Sequence, residues 1–139
     1  MVKVLVIGAG GVGGYFGGRL IQAGADVTFL VREKRARQLA ESGLVIKSPL
    51  GDAAIPARTL TATDPGRAFD LVIITCKSYD LGSAIDAAAP HMQAGAGLAL
   101  PLLNGMAHVD VLRECRRHGR DGSCRGRRAV SPSHRLFPV

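Results

Sequence analysis

The sequence predicts an α/β fold, a doubly wound, mainly parallel sheet with helices on both faces, and three observations predict it. Apolar runs at 3–8, 26–32, 69–77 and 95–105, the first of them β-branched, alternate with segments of helical period. A glycine-rich turn, "LVIGAGGVGG" at residues 5–14, joins the first run to the first helix. The 139 residues are 47% apolar with 21% charged, the composition of one globular core and not of a disordered chain. With 4% aromatics and no Trp, that core must be aliphatic.

The elements follow in order. "KVLVIG" (3–8) is a run without alternation, as expected of a strand buried on both faces of a parallel sheet. Val12, Tyr15, Phe16, Leu20 and Ile21 then recur at helical spacing, and Gly24 stands where a helix C-terminus belongs. "DVTFLVR" (26–32) is a second strand. Residues 33–42, "EKRARQLAES", form a charged surface helix stopped by Gly43. "GLVIKSPLGDAAIPA" (43–57) reads as two short strands around a Gly51–Asp52 turn, and 58–69 as connector. "FDLVIITCK" (69–77) is another buried strand. "DLGSAIDAAAPHM" (80–92) is a helix with Leu81, Ile85 and Ala88 or Ala89 on one face. "GAGLALPLLNG" (95–105) is a further strand, and "MAHVDVLREC" (106–115) has helical spacing. Beyond about residue 116 regular patterning ends. The expected division is a dinucleotide-binding domain at 1–115 and an Arg-rich tail at 116–139.

Composition bounds the function classes. Cys76, Cys115 and Cys124 make neither a disulfide framework nor a zinc spacing, which favours a reducing, cytoplasmic setting. The opening "MVKVLVIGAG" lacks the features of a secretory signal, and no run approaches the ~18 apolar residues of a membrane span. The net charge is +7, but residues 1–112 hold ten Lys/Arg against nine Asp/Glu. The basicity belongs to the tail, which has no aromatic interleaving, so nucleic acid is the weakest of the candidate partners. His91, His108, His118 and His134 have no metal spacing and read as surface residues. No metal site is expected.

Gly8-Ala9-Gly10-Gly11-Val12-Gly13 matches G-x-G-x-x-G, a pattern that is weak alone. Its context is the one a pyrophosphate requires: the end of a buried strand and the start of a helix, whose free N–H groups attract anions. Gly8 then permits the tight turn, Gly10 admits the phosphates and Gly13 lets helix and strand pack closely. A ligand-free turn is the competing reading. The Rossmann-like pattern places an acidic residue at the end of the second strand when NAD is preferred. Here that position is Arg32, whose guanidinium suits a 2′-phosphate, so NADP(H) is the expected cofactor. Lys34, Arg35 and Arg37 read as a solvated helix face, and Glu33 is near enough to turn toward the ribose instead. Cys76 abuts Lys77, whose charge would slightly activate its thiol, but it reads first as a buried strand-end cysteine.

Two more strand ends carry chemistry. "ITCKSYDL" (74–81) sets Lys77 just past one strand, and "PLLNGM" (101–106) sets Asn104 past the next, both on the carboxyl edge where open α/β sheets bind ligands. Asn104 also suits a helix cap, and Lys77 a solvated surface. Together with "VLVIGAGGVGGYFGGRL" and "SPLGDAAIPA", these motifs resemble the N-terminal domain of the ketopantoate reductase family over about residues 1–114. The resemblance implies NADPH-dependent reduction of the ketone of 2-dehydropantoate, on the route to pantothenate and coenzyme A. It implies that Gly8, Ala9, Gly10, Gly11, Val12 and Gly13 bind the pyrophosphate and Arg32 the 2′-phosphate, while Lys77 and Asn104 line the cofactor and substrate cleft.

In that family a C-terminal helical domain supplies the proton donor, a lysine, and nothing in 116–139 resembles it. No catalytic residue is therefore expected in this chain, and little or no turnover. The tail's Arg/Gly/Ser/Pro bias is what GC-rich DNA gives when read out of frame, so a frameshifted or truncated reductase with a non-native tail is the expectation. Translating the downstream DNA in three frames tests this, and finding no helical-domain sequence in any frame would sink it. Three other readings stay open: a stand-alone NADP-binding module, a reductase of another 2-keto or 3-hydroxy acid, and a nucleic-acid binder acting through the tail. Deleting 116–139 without loss of any nucleic-acid affinity would remove the last.

Overall fold

The computed structural model describes residues 1–92 and 98–103. A five-stranded parallel sheet forms its centre, built from β1 (Lys3–Ile7), β2 (Asp26–Leu30), β5 (Arg58–Leu60), β6 (Leu71–Ile74) and β7 (Leu98–Pro101). The spatial order is β5-β2-β1-β6-β7. The chain first winds outward from β1 through β2 to β5, then returns to the other side of β1, so the order reverses between β1 and β6. The register is continuous across that point, with Ile7 facing Leu30 on one side and Ile74 on the other.

Side-chain alternation along β1 makes two cores. Val4 and Val6 enter one with Val27, Phe29, Leu39, Leu44 and Ile46, while Leu5 and Ile7 enter the other with Val72, Ile74, Leu81 and Ile85. The first core lies under α1 (Gly11–Gln22), α2 (Glu33–Ser42) and an antiparallel hairpin of β3 (Leu44–Ile46) and β4 (Ala53–Ile55). The second lies under α3 (Leu81–Ala88), which 3₁₀ turns precede at Ser78–Asp80 and follow at Ala89–His91. The doubly wound sheet with helices on both faces is thus the observed fold.

The elements depart from the sequence reading in three places. First, the face of α1 that meets the sheet is glycine: Gly13, Gly14, Gly17 and Gly18 are buried, whereas Val12 is 47% and Phe16 49% exposed. A Cβ at Gly17 would stand 2.6 Å from the Phe29 ring, and one at Gly18 would run into Ile46. The helix lies so close to the sheet that hydrogen replaces side chain along the contact. Tyr15, Leu20 and Ile21 pack against the same core from the flank.

Second, the connector at 58–69 contains β5, an edge strand pairing Thr28 with Arg58 and Leu30 with Leu60. Its three residues, Arg-Thr-Leu, are too few to show a period, and it exists because β2 offers it a free edge. Third, His91 is not a surface residue. It is 1% exposed, its Nδ1 accepts the Arg67 backbone N–H at 3.0 Å, and its ring meets Phe69 edge-on. Burial holds its pKa below the ordinary 6.5, so the ring is kept neutral. The expected helix at 106–115, Asn104, the remaining histidines and the tail lie outside the described residues.

Candidate functional site

The carboxyl ends of β1, β2 and β6 open onto a single cleft of about 1280 Å³. It sits at the reversal of strand order, where open α/β sheets leave a crevice between loops that turn opposite ways. Its floor is the glycine loop. Gly8 takes φ +93°, a conformation that side chains rarely adopt, and its N–H donates to the Leu30 carbonyl. The chain then runs straight into α1, whose N-cap residue Gly10 offers no side chain to the first-turn N–H groups. No acidic residue occupies that turn either. The positive end of the helix therefore borders the cleft with its donors uncovered.

The loop is held from behind. Thr75, just past β6, donates its hydroxyl to the Ile7 carbonyl at 2.8 Å and approaches the Gly8 carbonyl at 3.2 Å. A Cβ on Gly13 would collide with both that carbonyl and the Thr75 hydroxyl. Gly13 thus belongs to the packing beneath the loop and does not line the cleft, whereas Gly8, Ala9, Gly10, Gly11 and Val12 do. In contrast, a Cβ at Gly10 or Gly11 would meet nothing within 4 Å. On the open side these residues leave room for a group to approach the backbone closely. A cradle of bare N–H groups with that clearance fits a dinucleotide pyrophosphate.

Of the six charged residues that line the cleft, Arg32, Lys77 and Asp80 stand at its strand ends. Arg32 follows β2 as the N-cap residue of α2, its carbonyl accepting the Arg35 and Ala36 N–H groups, while its side chain remains 83% exposed. Its guanidinium meets the Asp80 carboxylate at 3.1 Å. Lys77 is exposed beyond β6 with its ammonium 5.8 Å from the centre of the Tyr79 ring. The structure therefore brings Arg32 and Lys77 to the same cleft as the glycine loop.

Sequence reasoning missed two participants and misplaced a third. Thr75 and Asp80 gave no signal of their own, since both act on residues far away in sequence. Arg35, read as solvated, is half-buried and donates to the Ala9 carbonyl at 3.0 Å, so it ties α2 to the glycine loop. A signal for it existed: Arg35 lies one helical turn before buried Leu39, hence on the inward face. Lys34 and Arg37 are exposed as expected, and Arg37 pairs with Glu33 at 3.7 Å along the helix. Cys76 is half-buried and burial raises its thiol pKa, so it is no activated nucleophile. Among the described residues no cluster of three or more His, Cys, Asp or Glu could hold a metal, and no helix is long and apolar enough to cross a membrane.

The sequence profile of the family described as Ketopantoate reductase PanE/ApbA matches residues 4–123. The chain belongs to the ketopantoate reductase family. An uncharacterised oxidoreductase of Bacillus subtilis is 48% identical over 111 residues, which are 80% of this chain and 36% of that protein. The 2-dehydropantoate 2-reductase of Pyrococcus horikoshii is 31% identical over 113 residues, again 36% of its length. A ternary structure of D-mandelate dehydrogenase with NADH and anilino(oxo)acetate superposes with a TM-score of 0.75 over 81% of this chain and 37% of that one. Its 23% identity makes this a likeness of fold. The ketopantoate reductase unit seen here spans little more than a third of the curated relatives it matches.

Proposed function

We propose that this chain provides the NADPH-binding unit of a cytoplasmic reductase that converts 2-dehydropantoate to pantoate, on the route to coenzyme A. One observation carries the cofactor: an open glycine cradle at the sheet's switch point with a guanidinium, not a carboxylate, at the end of β2. When bound, a reduced nicotinamide supplies a hydride to a ketone. The work of this chain's residues is binding and orientation. The N–H groups at 10–12 donate to the pyrophosphate, with Gly13 allowing the close packing beneath them, and Arg32 takes the 2′-phosphate through charge-assisted bonds. Lys77 presents an ammonium to ribose hydroxyls or a substrate carboxylate, and Asn104 is proposed beside it. The proton that a reduced ketone oxygen needs is assigned to the family's C-terminal helical domain, beyond the part of the family's chain that this one matches.

A reductase of another 2-keto acid is the second reading, because the Bacillus subtilis relative at 48% identity is an oxidoreductase whose name leaves its substrate open. A module that binds NADP without catalysis is the non-enzymatic alternative. Titrating NADPH and NADH into the chain and into Arg32→Ala tests the cofactor assignment. Arg32→Ala is expected to weaken NADPH at least tenfold, as for the loss of about 1.4 kcal/mol of charge-assisted bonding, with NADH changed less than twofold. Equal losses for the two dinucleotides would refute it.

A further inference from the structure

The pair of Arg32 and Asp80 spans the cleft from the two sides of β1. Arg32 stands past the end of β2 and Asp80 in the turn after β6, and these two strands flank β1 on opposite sides. Two inter-strand spacings of about 4.8 Å separate them. Their side chains therefore meet over the mouth of the glycine loop, and both residues line the cleft. Asp80 is also the N-cap residue of α3, yet its carboxylate makes no cap bond; it turns to Arg32 instead. Only one guanidinium nitrogen and one carboxylate oxygen take part, and Asp80 is itself one-third exposed. Such a pair holds weakly and exchanges readily.

We propose that Asp80 is a selectivity residue: its carboxylate is an internal competitor for Arg32, and a ligand anion must displace it to occupy that guanidinium. The proposal rests on Arg32 being the 2′-phosphate site. A 2′-phosphate brings the anion that replaces Asp80 on the guanidinium. A dinucleotide with a free 2′-hydroxyl brings no replacement and gains nothing from opening the pair. Asp80 thus tempers the affinity for NADP(H), which keeps the cofactor exchangeable, and its charge is the element to change in order to tighten it.

Asp80→Asn keeps the shape and removes the charge, at a site exposed enough for the fold to tolerate the change. In the full 139-residue chain it is expected to tighten NADPH about two- to fivefold, the range an exposed ion pair can supply, while NADH changes less than 1.5-fold. Unchanged or weaker NADPH binding would overturn the proposal. In an Arg32→Ala background the same substitution is expected to change NADPH affinity less than 1.5-fold, because no guanidinium remains to compete for. Persistence of the full gain there would show that Asp80 acts by direct repulsion, and would also overturn it. The two readings fail separately: if Arg32→Ala spares NADPH, the 2′-phosphate assignment falls; if it does not, and Asp80→Asn brings no gain, only the competitor falls. Equal thermal midpoints for Asp80→Asn and parent without ligand are the expected folding control, and a fall of more than 5 °C would show a structural role that the proposal denies.

Discussion

At the scale of single residues, Gly10 and Gly13 look alike in the fingerprint and do opposite things. Gly13 is closed in by the Gly8 carbonyl and the Thr75 hydroxyl, and Gly10 faces open space. Gly13→Ala is therefore expected to cost about 1–3 kcal/mol of stability, the range for forcing a methyl into a packed contact. Chemical denaturation measures that loss. Gly10→Ala is expected to leave the denaturation midpoint within error while weakening NADPH binding at least tenfold, as titration would show. If Gly10→Ala destabilises the fold as much as Gly13→Ala, the division between binding and packing is wrong. The motif was legible because its spacing states the geometry of a strand–turn–helix. The bonds of Arg35 to Ala9 and of Arg32 to Asp80 were not, since each joins residues 26 and 48 apart whose meeting depends on strand order.

At the scale of elements, the same limit explains α1. Hydrophobic period locates a helix but does not say which stripe touches the sheet when glycines compete with Val12 and Phe16 for that place. Distance decides: a helix packed closely enough for Gly17 to touch Phe29 has no space for side chains on that face. Gly17→Ala is expected to destabilise by about 1–3 kcal/mol, and combined with Phe29→Leu it should cost less than the sum of the two, because the ring is the obstacle. Additive losses in denaturation would place the strain elsewhere. The short edge strand β5 went unread for a simpler reason, three residues being too few for a pattern. The end of α3 makes a different prediction. His91 is held neutral by burial and accepts a backbone bond that an imidazolium could not accept at Nδ1. Its folded pKa lies below the unfolded 6.5, so above that pH both states are neutral and the residue adds no slope. Below it the unfolded chain takes up the proton first, and stability falls as the pH falls. Denaturation midpoints from pH 7.5 to 5 are expected to show this decline, and His91→Gln to flatten it; an equal slope in both would assign it to other groups.

At the scale of the whole molecule, the sheet order unites these parts. Winding outward from β1 to β5 and then back to β6 puts the glycine loop, the β2 end with Arg32 and the β6 end with Lys77 on one edge. The alternation of strands and helices made that architecture legible, since right-handed crossovers leave few other ways to pack it. Among the described residues, the fully buried members of both cores fall between Val4 and Ala88, with Leu102 and Leu103 packing against them from β7's end. Among the described residues, the glycine loop, Arg32, Lys77 and Asp80 already line one cleft, the one proposed for the dinucleotide. Binding and turnover should then separate. The 139-residue chain is expected to bind NADPH, with a rise in thermal midpoint that grows with ligand concentration as mass action requires. It is expected to leave NADPH unoxidised in the presence of 2-dehydropantoate. Joining the 111 residues matched at 48% identity to the remaining two-thirds of the Bacillus subtilis oxidoreductase restores the part assigned to the proton donor. That chimera is expected to oxidise NADPH with a 2-keto acid, followed by the loss of absorbance at 340 nm, a wavelength set by the reduced nicotinamide and not by the protein. Turnover by the 139-residue chain itself would move the proton donor into this unit, with Lys77 the first residue to substitute.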